Sequence, residues 1–373
     1  SSRVQSVSVE YCEAIERDSD GTRPSQHNGK EAIDCDMAVL ATGHSARDVY
    51  EELYASGVEL EAKGFATGFR VEHPQSVINR IQFGLEWGPS VKTGKKPTDE
   101  ANALSFRMLN DEHGEIINSH PGRLPTASYR LATDKAFDGE SNRGAYSFCM
   151  CPGGQIVPAS TDTDEVCVNG MSFSRRDSVW ANSALVVTVS PEDEILDEYR
   201  KEHGVLAGLA FQRDMERRAA VMGGGDLVVP VQRLTDFIAG KPSTSAPSSS
   251  YRIGVKPAAC HEIYPKALTN ALRDALVNHF NRQMKGFVCE EGLLHAVETR
   301  TSSPVRIKRE PETLKAIGIN NLYPAGEGAG FAGGIVSAAV DGIVVAEAIL
   351  DSLDGEAEES HKRKRLKSVG FEY

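Results

Sequence analysis

Two thiols separated by a single residue carry the plainest chemistry in this sequence. Cys149 and Cys151 stand in Phe148-Cys-Met-Cys-Pro-Gly-Gly154. A Cys-x-Cys followed by Pro-Gly-Gly can present sulfur in a tight turn as a redox pair, although this spacing strains a disulfide more than Cys-x-x-Cys does. A zinc site needs two further ligands at suitable spacing, and Cys167 alone does not supply them. The competing reading is two small side chains buried in a packed turn. Arg300, in Thr299-Arg-Thr-Ser-Ser-Pro304, could grip a carboxylate or phosphate oxygen bidentately, or be an ordinary surface arginine. None of the ten histidines falls in an H-x-x-x-H motif, so no metal is implied.

A glycine loop near the C-terminus is the second chemical signal. Asn321 to Ala325 looks like the end of a strand, five glycines fall between Gly326 and Gly334, and an Ala-rich apolar segment follows to Leu350. Strand, glycine loop and helix together bring backbone N–H groups and a helix N-terminus against an electron-rich ligand. Gly328-Ala-Gly-Phe-Ala-Gly333 matches G-x-G-x-x-G. A dinucleotide unit, however, needs a second strand ending in an acid roughly 20 residues on. Asp354 and Glu356 stand near that distance with no apolar strand to carry them. The loop therefore differs from the first βαβ of a Rossmann domain.

A third site is a strand end. Ile33 to Leu40 reads as a strand whose run Met37 to Leu40 suits burial on both faces, and it closes on the small residues Ala41-Thr42-Gly43 before a helix over Ala46 to Ser56. Small residues there let a ligand approach the backbone, where open α/β sheets bind. It pairs with a strand from Val4 to Ile15 across a polar loop, Arg17 to Gly29.

From Gly57 to Ile253 the rhythm of alternating strand and helix is missing, and short strands dominate. Phe65 to His73 is one, with Arg70 and Glu72 alternating out of it as a solvated face in the simpler reading and a substrate site in the other. Ser190 as cap and Pro191 at the first position start a helix running to His203. A second helix, Ala207 to Met222, stops at Gly223-Gly-Gly225, and Gly240 to Ser250 is a low-complexity, flexible loop. Leu268, Leu272, Leu276 and Phe280 form the apolar stripe of a helix over Pro265 to Met284.

The 373 residues suffice for two domains, and a net charge of −12 argues against a general nucleic-acid or anionic-membrane binder. Seven cysteines, an odd number, do not form a disulfide framework and suggest a reducing compartment. The best candidate membrane span, Ile335 to Leu350, is too short and carries Asp341 and Glu347.

The pairing of Ala41-Thr42-Gly43 with Leu322-Tyr-Pro-Ala-Gly326-Glu327 resembles the FAD-binding glutathione-reductase-type superfamily. More closely, Tyr146 to Gly154, Asn169 to Ser172, Ala181 to Val186, Glu298 to Val305 and Gly326 to Ala346 are similar to an uncharacterised FAD-dependent dehydrogenase family of bacteria and plastid-bearing eukaryotes. The resemblance implies an α/β chain in which an incomplete, discontinuous Rossmann-like FAD-binding domain (1–56 and 290–353) carries an inserted β-rich α+β domain (57–289), followed by a charged tail (354–373). It implies FAD contacts from Ala41, Thr42, Gly43, Gly326, Glu327, Gly328, Gly330, Gly333, Gly334 and Ile335, with Glu327 in place of the more usual Asp.

It also implies a dehydrogenase-like oxidoreductase acting on a small-molecule or thiol substrate, with NAD(P)H as a candidate donor. Cys149, Cys151 and Arg300 would then stand on the flavin's substrate side. A non-catalytic flavin-binding protein and a nonfunctional truncated product are the alternatives. The superfamily's first G-x-G-x-x-G would precede Ser1, so a fragment that holds FAD poorly by itself is expected. Its compartment would be the plastid in a photosynthetic eukaryote and the cytoplasm otherwise.

Overall fold

The computed structural model describes residues 3–10, 30–83 and 125–353. The expected loop Arg17 to Gly29, the continuation of the first strand beyond Glu10 and the charged tail lie outside them. The chain divides into two compact units, Ser1–Glu61 with Arg306–Tyr373, and Ala62–Val305. Together they make a mixed α/β chain, and the strand Leu293–Glu298 belongs to the second unit.

In the first unit Ser6–Glu10 pairs antiparallel with Lys30–Asp34, and Ala38–Leu40 lies parallel to Leu322–Pro324. Asn321 fastens these pieces: its Nδ2 donates to the carbonyls of Val4 (2.8 Å) and Asp36 (2.9 Å), and its Oδ1 accepts from Val4 N–H. A small core gathers Leu314, Tyr323, Ala325 and Val345. Burial of Met37 to Leu40 on both faces does not hold, because Val39 is 55% exposed. The helix Ile335–Leu353 buries only Val345, and Ile335 stands 92% exposed at its start.

The second unit is built on a seven-stranded sheet. Its order is Val255–Pro257, Val229–Arg233, Leu293–Glu298, Phe65–Pro74, Trp180–Val189, Asn142–Pro152, Ala132–Phe137. Every pairing is antiparallel except the first, so the sheet is mixed. The middle pair runs unbroken from Phe65↔Val189 to Pro74↔Trp180.

Side chains alternate across such a strand, so Phe65, Thr67, Phe69, Val71 and His73 share one face. Helices cover it. Phe65 meets Phe211 of Ala207–Gly223, and Phe69 takes Phe237 and Tyr264 edge-on. The stripe Leu268, Leu272, Leu276 and Phe280 is fully buried, on Lys266–Asp274 and a wider helical turn through Phe280.

Three expectations change here. The opposite face of Phe65–Pro74, with Arg70 and Glu72, is not solvated: both are at most 1% exposed, because a hairpin, Gly154–Pro158 with Val168–Ser172, and the segment at Ser249–Ser250 lie over it. The helix after Ser190 starts later. The Asp193 carboxylate caps Ile195 N–H, a short 3-10 turn Glu194–Leu196 follows, and Asp197–His203 is the helix proper. Ser190 instead bonds Glu192. The serine-rich loop is not a free excursion, since Ser243, Ser249 and Ser250 each bond buried or half-buried groups of the core. Gly223 to Gly225 do end a helix, with Gly224 in the left-handed conformation at its C-cap.

Candidate functional site

The first unit brings the strand end and the glycine loop together. Gly43 turns with φ +74°, and a Cβ placed on Gly328 would lie 2.6 Å from the Gly43 carbonyl oxygen and 2.9 Å from its Cα. Both are backbone atoms that cannot yield, so glycine is required where the two loops touch. Tyr50 locks the contact by donating to the Gly328 carbonyl at 2.6 Å. His44 Nδ1 stands 3.2 Å from Glu327 Oε1, so Glu327 turns toward the neighbouring loop.

The loop is held from behind by Asp341. That carboxylate accepts from Gly326 N–H at 2.7 Å and pairs bidentately with Arg309 at 2.6 and 3.1 Å. Arg309 also bonds the Pro324 carbonyl and lies 3.6 Å over the Phe331 ring. The Ser337 hydroxyl accepts from Gly333 N–H at the mouth of the helix. Ala41 and Thr42 are exposed, Gly326, Gly328 and Gly330 buried, Gly333 and Gly334 half-buried. The expected cofactor segments thus converge, with Ile335 outermost. The sequence did not single out His44, Tyr50, Arg309 or Asp341 for a site. An aspartate in the first half of a mostly apolar helix was the one visible sign.

In the second unit, Cys149 and Cys151 sit on a β-bulge. The register jumps from Asn182↔Cys151 to Ala184↔Phe148, so Cys149 and Met150 together oppose Ser183, and Cys149 takes φ +43°. Bulges of this kind re-aim a side chain. Here Cys149 is exposed and Cys151 is buried.

Beneath them lies Arg70. Its Nε donates to Asn182 Oδ1 (2.9 Å), its Nη1 to both oxygens of Glu298 (3.0 Å each), and its Nη2 to the Cys149 carbonyl (2.6 Å) and Cys151 Sγ (3.3 Å). Burial pushes Glu298 above the usual carboxylate range, and the guanidinium opposes this. The hairpin closes the site at Gly170, where a Cβ would fall 2.0 Å from Nη2.

Beside this network Ser250 bonds Glu72 through its hydroxyl and its N–H, and Ser249 meets His295 Nε2 at 2.7 Å. Desolvation raises Glu72 and depresses His295 to about 3.

Arg300 stands apart from the thiols in the bonds it makes. It is 7% exposed and bonded to Glu216 at 2.7 and 3.1 Å, with Glu165 at 3.4 Å. Thr299 adds its hydroxyl to Glu216, and Gln212 bonds the Thr299 carbonyl. These bonds tie the segment after Leu293–Glu298 to helix Ala207–Gly223. Two carboxylates already balance the Arg300 charge, which opposes its use as an anion clamp.

Residues 109–301 match a family of FAD-dependent proteins, described as C-terminal domain-like. An uncharacterized protein of Clostridium beijerinckii is 42% identical over 329 residues, covering 88% of this chain and 54% of the relative. The chain thus spans about half the length of the curated relative it matches. FAD has support in these comparisons; NAD(P)H has none. No helix among the described residues is long and apolar enough to cross a membrane.

Proposed function

Because the chain belongs to the family of FAD-dependent proteins with this C-terminal-domain-like region, we propose that it is the flavin-contacting part of an FAD-dependent oxidoreductase. The observation that carries the reading is the Gly43–Gly328 contact. Two loops from opposite ends of the sequence meet backbone to backbone, packed so closely that a single Cβ at Gly328 would part them. That fits a cofactor lying on bare backbone. The holding residues would be Ala41, Thr42 and Gly43 on one side and Gly326 to Gly330 on the other, with Gly333, Gly334 and Ile335 offering the N-terminus of the helix.

FAD, when bound, supplies a two-electron acceptor or donor. The chain's own residues bind and orient. Asp341 and Arg309 fix the loop against its helix, and Tyr50 fixes its approach to the strand end. Glu327 would reach the cofactor only by sharing its carboxylate with His44. The helix N-terminus would offer partial positive charge to a reduced flavin, which carries negative charge. A Rossmann-like framework completed by the remaining length of a longer protein is part of this proposal. The exposed apolar face of Ile335–Leu353 supports it, since such a face is normally covered.

Equilibrium dialysis of the chain against excess FAD tests the site. Weak binding is expected for the wild-type chain, with none for Gly328→Ala at an unchanged circular dichroism spectrum. Equal FAD binding by the two proteins refutes the assignment.

A further inference from the structure

We propose that Cys149 and Cys151 form a reversible dithiol–disulfide pair that exchanges with small-molecule disulfides, Cys149 as the attacking thiol and Cys151 as the resolving one. The claim goes beyond flavin binding by naming a substrate class, and it does not rest on flavin: the electrons come from the two thiols.

On an ordinary extended strand, residues two apart share a face and stand about 6.6 Å apart, near the upper limit for a disulfide. Here the bulge opposite Ser183 interrupts that geometry and divides the pair into an exposed outer thiol and a buried inner one. Cys151 Sγ lies 3.3 Å from the Cys149 carbonyl oxygen, so the inner sulfur rests against the backbone of the outer residue. A non-glycine residue held at φ +43° inside a sheet is an outlier of the kind that clusters at working sites.

One further contact points to sulfur chemistry at this place, and an unpartnered polar group lies on the neighbouring strand. A buried guanidinium N–H donates to Cys151 Sγ at 3.3 Å, a cationic donor where negative charge forms as sulfur attacks or departs. Asn182 is fully buried on the strand beside Cys151, and its Nδ2 has no partner among the described residues. Its Oδ1 is fixed by Arg70, so the amide cannot turn to satisfy both ends.

The chemistry balances in two steps. Cys149 thiolate attacks a disulfide RSSR, forming Cys149–S–S–R and releasing RS⁻, which takes up a proton. Cys151 thiolate then attacks the Cys149 sulfur, forming the Cys149–Cys151 disulfide and releasing the second RS⁻. Two thiols are oxidised and one disulfide is reduced to two thiols.

The test uses the reduced chain, glutathione disulfide as probe, trapping with N-ethylmaleimide in denaturant, and peptide mass mapping. Wild type should gain an internal Cys149–Cys151 disulfide. Cys151→Ser should accumulate glutathione on Cys149, and Cys149→Ser should react roughly tenfold or more slowly, because access governs exchange. A wild-type chain that stops at the mixed disulfide overturns the proposal, as does one that reacts at neither thiol, or a Cys149→Ser chain as fast as wild type. A circular dichroism spectrum and urea midpoint matching wild type check that Cys149→Ser folds, so that arm reads reactivity and not folding. No flavin is present, so failure here leaves the FAD reading standing.

Discussion

Replacing Arg70 by Met removes a guanidinium that is 0% exposed and makes bonds to Asn182, Glu298, Cys149 and Cys151. The largest consequence falls on Glu298, which is left buried without its counter-charge; stranding one partner of a buried ion pair costs about 3–5 kcal/mol. The Asn182 and Cys149 oxygens lose donors as well, at about 1 kcal/mol each. Glu298 can relieve part of this by taking a proton, since burial already raises it. We therefore expect Arg70→Met to cost about 4 kcal/mol at neutral pH and less in mild acid.

The sign follows from proton binding. In the variant the folded state holds the proton more tightly than the unfolded one, so stability is present at low pH and lost as pH rises through the folded value. Glu298→Leu alone should cost a similar amount, because it strands the cation. The double variant should recover most of the loss and lie within about 2 kcal/mol of wild type, since an apolar pair of similar volume replaces an ionic one at little net cost. Urea unfolding read by Trp180 fluorescence, in a Trp87→Phe background, measures the cycle in the unit that contains the network. A single-variant cost below about 1 kcal/mol, or additive singles, would refute the account of a coupled buried pair.

Two further predictions concern the same unit. Gly170→Ala should destabilise it by about 1–3 kcal/mol in the same urea assay, because the new methyl must displace a guanidinium held by several bonds; an unchanged midpoint would mean that the hairpin lifts freely. His73 is fully buried with Nε2 on the Phe287 carbonyl, and burial lowers it to about 4. The unfolded chain binds this proton first, so the His73 contribution is complete above about 6.5 and disappears as pH falls toward 4, a change of about 3 kcal/mol. His73→Gln should flatten that part of the stability–pH curve, and parallel curves for the two proteins would exclude it.

Local patterns were legible where one element decides the outcome. The stripe from Leu268 to Phe280 has a period that only a helix can bury, and Gly223 to Gly225 end a helix as glycine does at a left-handed cap. The cofactor segments were legible as motifs, and their meeting at Gly43 and Gly328 depends on short backbones that sequence does display. Arg70 and Glu72 were not legible. Alternation tells which face a residue takes, not whether another layer covers that face. The cover comes from a hairpin about 100 residues away (Asn169 bonds Arg70 across 99 positions) and the partner Glu298 from 228 away. The serine-rich loop misled for a related reason. Its composition is that of a solvated linker, while the Ser250 hydroxyl donates to Glu72 and the Ser249 hydroxyl partners His295.

The arginine network also says why this sheet carries charge where an apolar core would be more stable. One guanidinium bonds groups from the strands Asn142–Pro152, Trp180–Val189 and Leu293–Glu298, and it projects from Phe65–Pro74. Apolar side chains would fill the space but tolerate a shift of register; a planar fork of N–H groups does not. The bulge at Cys149 needs such a fixing point, because its extra residue leaves the ladder without a regular partner exactly where the carbonyl of Cys149 turns inward to Nη2. Removing the cation should therefore disturb the Cys149–Cys151 turn before it disturbs the rest of the sheet. Thiol reactivity in Arg70→Lys, which keeps the charge but loses the fork, separates the two effects. Altered exchange at near-normal stability marks positioning, and unchanged exchange marks charge alone.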